Sequence, residues 1–182
     1  MLKGVSIFSQ ITQTTSQMKV AFIGYPKVGK TSMINLLLGK APQLEYRPTI
    51  GLNFGQKMIK SMLGEHELNL WDFGGQKNFW PMYNSYLLNT RLCIVVTDST
   101  PTGVLKTKMI IDWLNKRDDN GGDKMRIIAL ANKQDLPGVM TAERVANVLR
   151  CDTYPVVAID PLQRENVIEI LKTNIEQVVK VE

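Results

Sequence analysis

No apolar run in these 182 residues approaches the roughly 18 that a membrane-spanning helix needs. The start of the chain also lacks a basic region followed by an apolar core and a cleavage site, so no secretory leader is expected. Cysteine is scarce. Cys93 lies in an apolar run and Cys151 near a helix end, a pair that offers neither a disulfide framework nor a zinc-ligand spacing. Two reduced thiols in a cytoplasmic protein are expected. The single histidine, His66, falls between two strand-like runs, where a solvated turn residue without a catalytic role is expected. Charge of one sign never forms a block: 22 basic and 17 acidic residues are scattered, and the net charge of +5 gives no basis for nucleic-acid binding. Nor is there an internal repeat or a low-complexity linker, so the length fits one folded domain.

What the chain does contain is Gly24-Tyr25-Pro26-Lys27-Val28-Gly29-Lys30-Thr31, preceded by the apolar run Val20 to Ile23 and followed by a helix-like segment, Ser32 to Leu38. This is the phosphate-loop pattern G-x-x-x-x-G-K-[ST], with a strand before it and a helix after it. Glycines let the backbone wrap an anion closely. Successive N–H groups at the helix start, from Gly24 through Val28 and Gly29 to Ser32, then point their partial positive charge at a phosphate. Lys30 would reach the β- and γ-phosphates, and the Thr31 hydroxyl would ligate Mg²⁺. The bland alternative, a Gly-rich turn that binds nothing, must explain four fixed positions and both flanks by chance.

Taken in order, residues 1–12 space Leu2, Val5, Phe8 and Ile11 three apart, which predicts a short amphipathic helix; a frayed tail is the alternative. A Thr/Ser/Gln stretch, 12–17, links it to the remainder, so residues 1–17 are an N-terminal segment and 18–182 the domain. Leu52 to Met62 and Glu67 to Trp71 read as a hairpin turning through Leu63-Gly64-Glu65-His66. Leu92 to Val96 and Arg126 to Ala131 are continuous apolar runs, as expected for strands buried on both faces. Lys106 to Lys116, Thr141 to Arg150 and Glu165 to Val179 read as helices, Asn120-Gly121-Gly122 breaks the first of them, and Tyr154 to Ile159 reads as the last strand. The pattern predicts an α/β fold: a mostly parallel six-stranded sheet with one antiparallel hairpin strand and helices on both faces. Ligands of such sheets bind outside the carboxyl ends of the strands. Asp72 to Gln76, Asn132 to Asp135 and Ala158 fall there with the phosphate loop.

Together these motifs resemble the small GTPases. Within that superfamily, Trp71-Asp72-Phe73-Gly74-Gly75-Gln76, Arg47-Pro48-Thr49-Ile50-Gly51 and Asn132-Lys133-Gln134-Asp135 look like the ADP-ribosylation-factor (Arf) and Arf-like family. The resemblance covers nearly the whole chain and implies a small G domain that binds GTP and GDP with Mg²⁺. In that family's scheme the Asp135 carboxylate accepts from guanine N1–H and the 2-amino group, which penalises adenine; Asn132 ties the base loop to the phosphate loop. The Lys133 stem covers the base and the Ala158 N–H meets guanine O6. Thr31 and Thr49 ligate the metal directly and Asp72 through water, while the backbone of Lys27 and the Gly75 N–H meet the phosphates. Gln76 orients the attacking water as the catalytic residue. Loss of the γ-phosphate would release Thr49 and Gly75 together, a switch read by an exchange factor, an activating protein and effectors in membrane trafficking.

The chain departs from the family at several places. Leu2 stands where Arf proteins carry an acylated Gly, so residues 1–12 would give only weak peripheral contact with a membrane. Pro26 removes a backbone donor beside the γ-phosphate, and Lys27 replaces a smaller or acidic residue. Trp80 stands where an Arg is common, the hairpin is longer, and Val157 and Ile159 flank Ala158 where polar residues are usual. Two further readings stay open: a GTP-bound structural adaptor with little turnover, which Pro26 allows, and a P-loop kinase or ATPase, with which Asp135 conflicts. No in-chain arginine finger is evident, so unassisted turnover is expected to be slow.

Overall fold

A computed structural model describes residues 15–42, 45–76, 79–119 and 124–180. The amphipathic segment read at 1–12 and the Asn120-Gly121-Gly122 break lie outside these residues. The sheet has six strands: β1 (Ser16–Ile23), β2 (Leu52–Ser61), β3 (Gly64–Phe73), β4 (Thr90–Thr97), β5 (Arg126–Ala131) and β6 (Thr153–Pro155). Their order is β2-β3-β1-β4-β5-β6, with β2–β3 antiparallel and every other pair parallel. Among the described residues four α-helices connect them, α1 (Lys30–Leu37), α2 (Trp80–Tyr86), α3 (Pro101–Asp119) and α4 (Ala142–Leu149), and a fifth, α5 (Arg164–Val179), follows β6. None of the helices among the described residues is long and apolar enough to cross a membrane.

Strand alternation sorts the core into two layers. Val20, Phe22, Leu68, Leu70, Leu92 and Ile94 face α1 and α5, where Met33, Leu37, Leu171 and Ile175 cover them. Ala21, Ile23, Cys93, Val95 and Ala129 point the other way, onto α2, α3 and α4 through Leu87, Ile111, Leu114 and Val145. Each fully buried Leu, Ile or Phe contributes about 1.5–3 kcal/mol relative to exposure, so the two layers, rather than strand propensity, hold β4 and β5 in the middle of the sheet. Neither Cys93 nor Cys151 is in a disulfide.

Several elements differ from the sequence reading. β1 begins at Ser16, so the last two residues of the expected linker belong to the sheet. The hairpin turns over Met62 and Leu63 alone, with Ser61 paired to Gly64, whose φ of 126° only glycine adopts readily. His66 is therefore a strand residue and not a solvated turn residue: it is 2% exposed, with Nδ1 2.7 Å from Ser16 Oγ and Nε2 2.9 Å from Ser61 Oγ. The two serines satisfy both ring nitrogens, which is what lets a histidine occupy the apolar face. α3 starts at Pro101, five residues before the expected Lys106, because Thr100 Oγ1 accepts from the Gly103 N–H at 3.0 Å and Pro101 suits the first helical position. β6 stops at Pro155, short of the expected Ile159. Val156 and Ala158 are buried and Ile159 exposed, as in a strand, but the Ala158 N–H has left the ladder for Asn132.

Candidate nucleotide cleft

The carboxyl ends of β1, β3 and β5 open onto a cleft of about 350 Å³, a size that suits a small ligand. The loop after β1 forms its floor. A Cβ at Gly29, where φ is 104°, would lie 2.2 Å from Asn132 Nδ2, so both backbone and space demand glycine there. Lys30 opens α1 almost fully buried, and its Nζ donates to Gly24 O (3.0 Å) and Tyr25 O (2.9 Å). Burial lowers its pKa to about 8, while the charge of Asp72 pulls it back upward. An ammonium with three donors that spends two on the loop's own carbonyls retains one for a further acceptor.

Beside it three oxygens converge. The Thr31 hydroxyl donates to Asp72 Oδ2 at 2.5 Å, the Thr49 hydroxyl donates to the same atom at 3.3 Å, and the two hydroxyl oxygens are 3.0 Å apart. Burial raises the Asp72 pKa, against the Thr31 bond, the Lys30 charge and the Thr49 bond, each of which lowers it. Asp72 Oδ1 is buried with no hydrogen-bond partner. Two hydroxyls and an incompletely paired carboxylate are hard oxygen donors, a set that fits Mg²⁺, which needs few protein ligands. Among the described residues no cluster of three His, Cys, Asp or Glu side chains offers a different metal site.

The segment after β3 is pinned above this cluster. Gly74 donates its N–H to Gly51 O (2.9 Å), and its carbonyl accepts from the Tyr83 hydroxyl (2.5 Å). Burial, seconded by the Asp72 charge, pushes the Tyr83 pKa well up, so the phenol stays a donor. Gly75 packs so tightly on the phosphate loop that a Cβ would lie 2.6 Å from Pro26 N. Gln76, the expected catalytic residue, is half-buried one position beyond Gly75 and is not among the residues lining the cleft.

At the other end Asn132 Nδ2 donates to Val28 O (2.7 Å), so the loop after β5 is tied to the phosphate loop as expected. Asn132 Oδ1 accepts from the Ala158 N–H (2.9 Å), the donor assigned to guanine O6. Lys133, with φ of 65°, Asp135 and Ala158 line the cleft with Lys27, Ser32, Thr49 and Gly75. Gly24 and Val28 stand behind the lining and serve through their carbonyls. Reading the sequence missed Tyr46 and Arg47, which wall the mouth, and Tyr83 and Ser99, which brace it from behind. Lys27 Nζ lies 5.3 Å from the Tyr46 ring centroid, joining the floor to that wall. Among these, only Tyr46 and Arg47 carried a signal: Arg47 opens the motif Arg47-Pro48-Thr49-Ile50-Gly51, where it was given no site role, and Tyr46 immediately precedes it.

Comparison with known proteins agrees with this geometry. Residues 19–135 match the family model described as "Ras of Complex, Roc, domain of DAPkinase". The chain is 30% identical to ADP-ribosylation factor-like protein 2 of Arabidopsis thaliana, over 82% of this chain and 77% of that one. It is 31% identical to ADP-ribosylation factor-like protein 5 of Caenorhabditis elegans (74% and 72% covered) and 28% identical to ADP-ribosylation factor-like protein 1 of Saccharomyces cerevisiae (90% and 89%).

Proposed function

Because the chain belongs to the Arf-like family of small GTPases, we propose that it binds GTP and GDP with Mg²⁺, hydrolyses GTP slowly, and changes partner affinity as it does so. One observation carries this reading: Thr31 from the phosphate loop, Thr49 from the loop before β2 and Asp72 from the end of β3 meet at one cluster beside Lys30. Three chain segments that share a single point can be held or released together.

In this scheme the backbone N–H groups around Gly29 and the Lys30 ammonium bind the phosphates, and Thr31, Thr49 and Asp72 hold the metal. Held by those residues, Mg²⁺ would supply positive charge to offset that of the phosphates. The Gly75 N–H meets the γ-phosphate, and Gln76 swings toward the cleft to orient water. Asp135 reads the guanine edge, the Lys133 stem covers the base, and the Ala158 N–H turns from Asn132 to O6. When the γ-phosphate leaves, Thr49 and Gly75 lose their shared anchor, and an exchange factor, an activating protein and effectors respond to that change. Cytoplasmic residence with peripheral membrane contact through residues 1–12 completes the scheme. It calls for vesicle sedimentation that depends on the bound nucleotide and is lost on Phe8→Asp.

A second reading, a GTP-bound adaptor with little turnover, is favoured by Pro26 in the cleft lining and by the place of Gln76 outside it. Multiple-turnover phosphate release separates the two. Repeated turnover above the no-enzyme rate supports the switch, and a single stoichiometric release or none supports the adaptor.

A further inference from the structure

Ser99 follows β4, contributes nothing to the cleft lining, and is fully buried with φ of 62°, a backbone conformation that side chains rarely adopt. Three hydrogen bonds explain why it is held there, and a fourth braces two of its partners. Its hydroxyl donates to Asn132 O at 2.7 Å and accepts from Gln134 Nε2 at 2.8 Å. Its carbonyl accepts from the Met140 N–H at 2.8 Å, and Gln134 Nε2 also donates to Met140 O at 3.0 Å. The first and last residues of the segment 132–140 are thus drawn onto a single serine, with the Gln134 side chain as the cross-tie. Lys133 and Asp135, which face the cleft, flank that cross-tie.

We propose that Ser99 and Gln134 are positioning residues for base selection: they cinch the segment 132–140 so that the Asp135 carboxylate is fixed at the base edge. The proposal rests on the guanine reading of this cleft and names what gives that reading its selectivity. A carboxylate discriminates by distance and angle, since a hydrogen bond weakens steeply with misalignment. Asp135 is solvent-exposed, so its placement depends on how firmly the backbone on either side is held. Neither positioning residue lines the cleft. Removing either one loosens the reader without removing it.

Competition calorimetry with GDP, inosine diphosphate and ADP tests this on the full chain. Inosine lacks only the 2-amino group, so the ratio of GDP to inosine diphosphate affinity reports the Asp135 contact directly; the wild type should prefer GDP by about tenfold or more. Ser99→Ala and Gln134→Leu should each cut that ratio about fivefold, and the double variant should fall no further than the larger single effect, because both act through one cinch. Ser99→Gly, which relieves the backbone strain while deleting the hydroxyl, should lose selectivity to the same extent. Gln134 is half-buried, so its variant serves even where a Ser99 variant fails to fold. Equal loss of affinity for GDP and inosine diphosphate, with the ratio preserved, would overturn the proposal, as would independent, multiplying effects of the two residues. A wild type that binds ADP as tightly as GDP would remove the guanine reading together with the cinch. A selective wild type whose variants stay selective would remove the cinch alone.

Discussion

Thr31 and Asp72, 41 residues apart in sequence, are joined by a 2.5 Å hydrogen bond from hydroxyl to carboxylate. That bond occupies one oxygen of a carboxylate whose other oxygen, Oδ1, is buried and unpartnered. Shared use of Thr31 by Asp72 and by a cation predicts that Thr31→Ala costs the metal contribution to nucleotide binding. GDP affinity should fall by about tenfold or more, and chelating Mg²⁺ should weaken the variant far less than the wild type. Fluorescent-nucleotide titrations with and without chelator measure both.

Gln76→Leu should still bind GTP and hydrolyse it about tenfold more slowly, since an apolar side chain cannot position water. Single-turnover phosphate release reads the chemical step apart from product exit. A rate equal to that of the wild type would mean that Gln76 stays outside the cleft during the reaction, as it does in this structure.

Much of this site was written in short-range sequence. A phosphate loop is a backbone device, so glycine spacing at Gly24 and Gly29 announces it, and the apolar run Leu92 to Val96 is what a strand covered on both sides requires. The tie between Asn132 and the phosphate loop came from the family resemblance, and in the structure Asn132 Nδ2 donates to a main-chain atom there, Val28 O. What stayed hidden depends on side chains meeting across long separations. His66 read as a turn residue because nothing local distinguishes it from one; Ser16, 50 residues away, and Ser61 make its burial possible. Ser99 carried no local signal because its hydroxyl and carbonyl bonds reach 132 and beyond. β6 was drawn too long because Val156 and Ala158 keep the alternating burial of a strand after the chain has left the ladder.

Asp135→Asn should move base preference from guanine toward xanthine. Xanthine carries a carbonyl at C2, and an amide can donate to it where a carboxylate only accepts. Competition between the two triphosphates decides the matter, and retained guanine preference would assign base reading to another residue.

Lys30 supplies a pH test. Its pKa in the folded chain is about 8, against 10.5 for the ordinary side chain, so between those values the unfolded chain holds more protons than the folded one. Stability of the nucleotide-free chain should therefore rise with pH across that window, by up to about 3 kcal/mol. Urea unfolding at pH 7.5 and 9.5 should show this rise in the wild type and a smaller one in Lys30→Met. Phosphate favours the charged ammonium, so nucleotide affinity should move the opposite way and weaken above about pH 8.

The most direct measurement is the identity of the nucleotide that the freshly purified full chain carries. Acid release followed by anion-exchange chromatography, in the presence of Mg²⁺ until quenching, should yield GDP or GTP approaching one equivalent per chain, and Lys30→Ala should carry none. Adenine nucleotide in that fraction, or a wild-type chain that neither carries nor takes up guanine nucleotide, would contradict the assignment of this cleft.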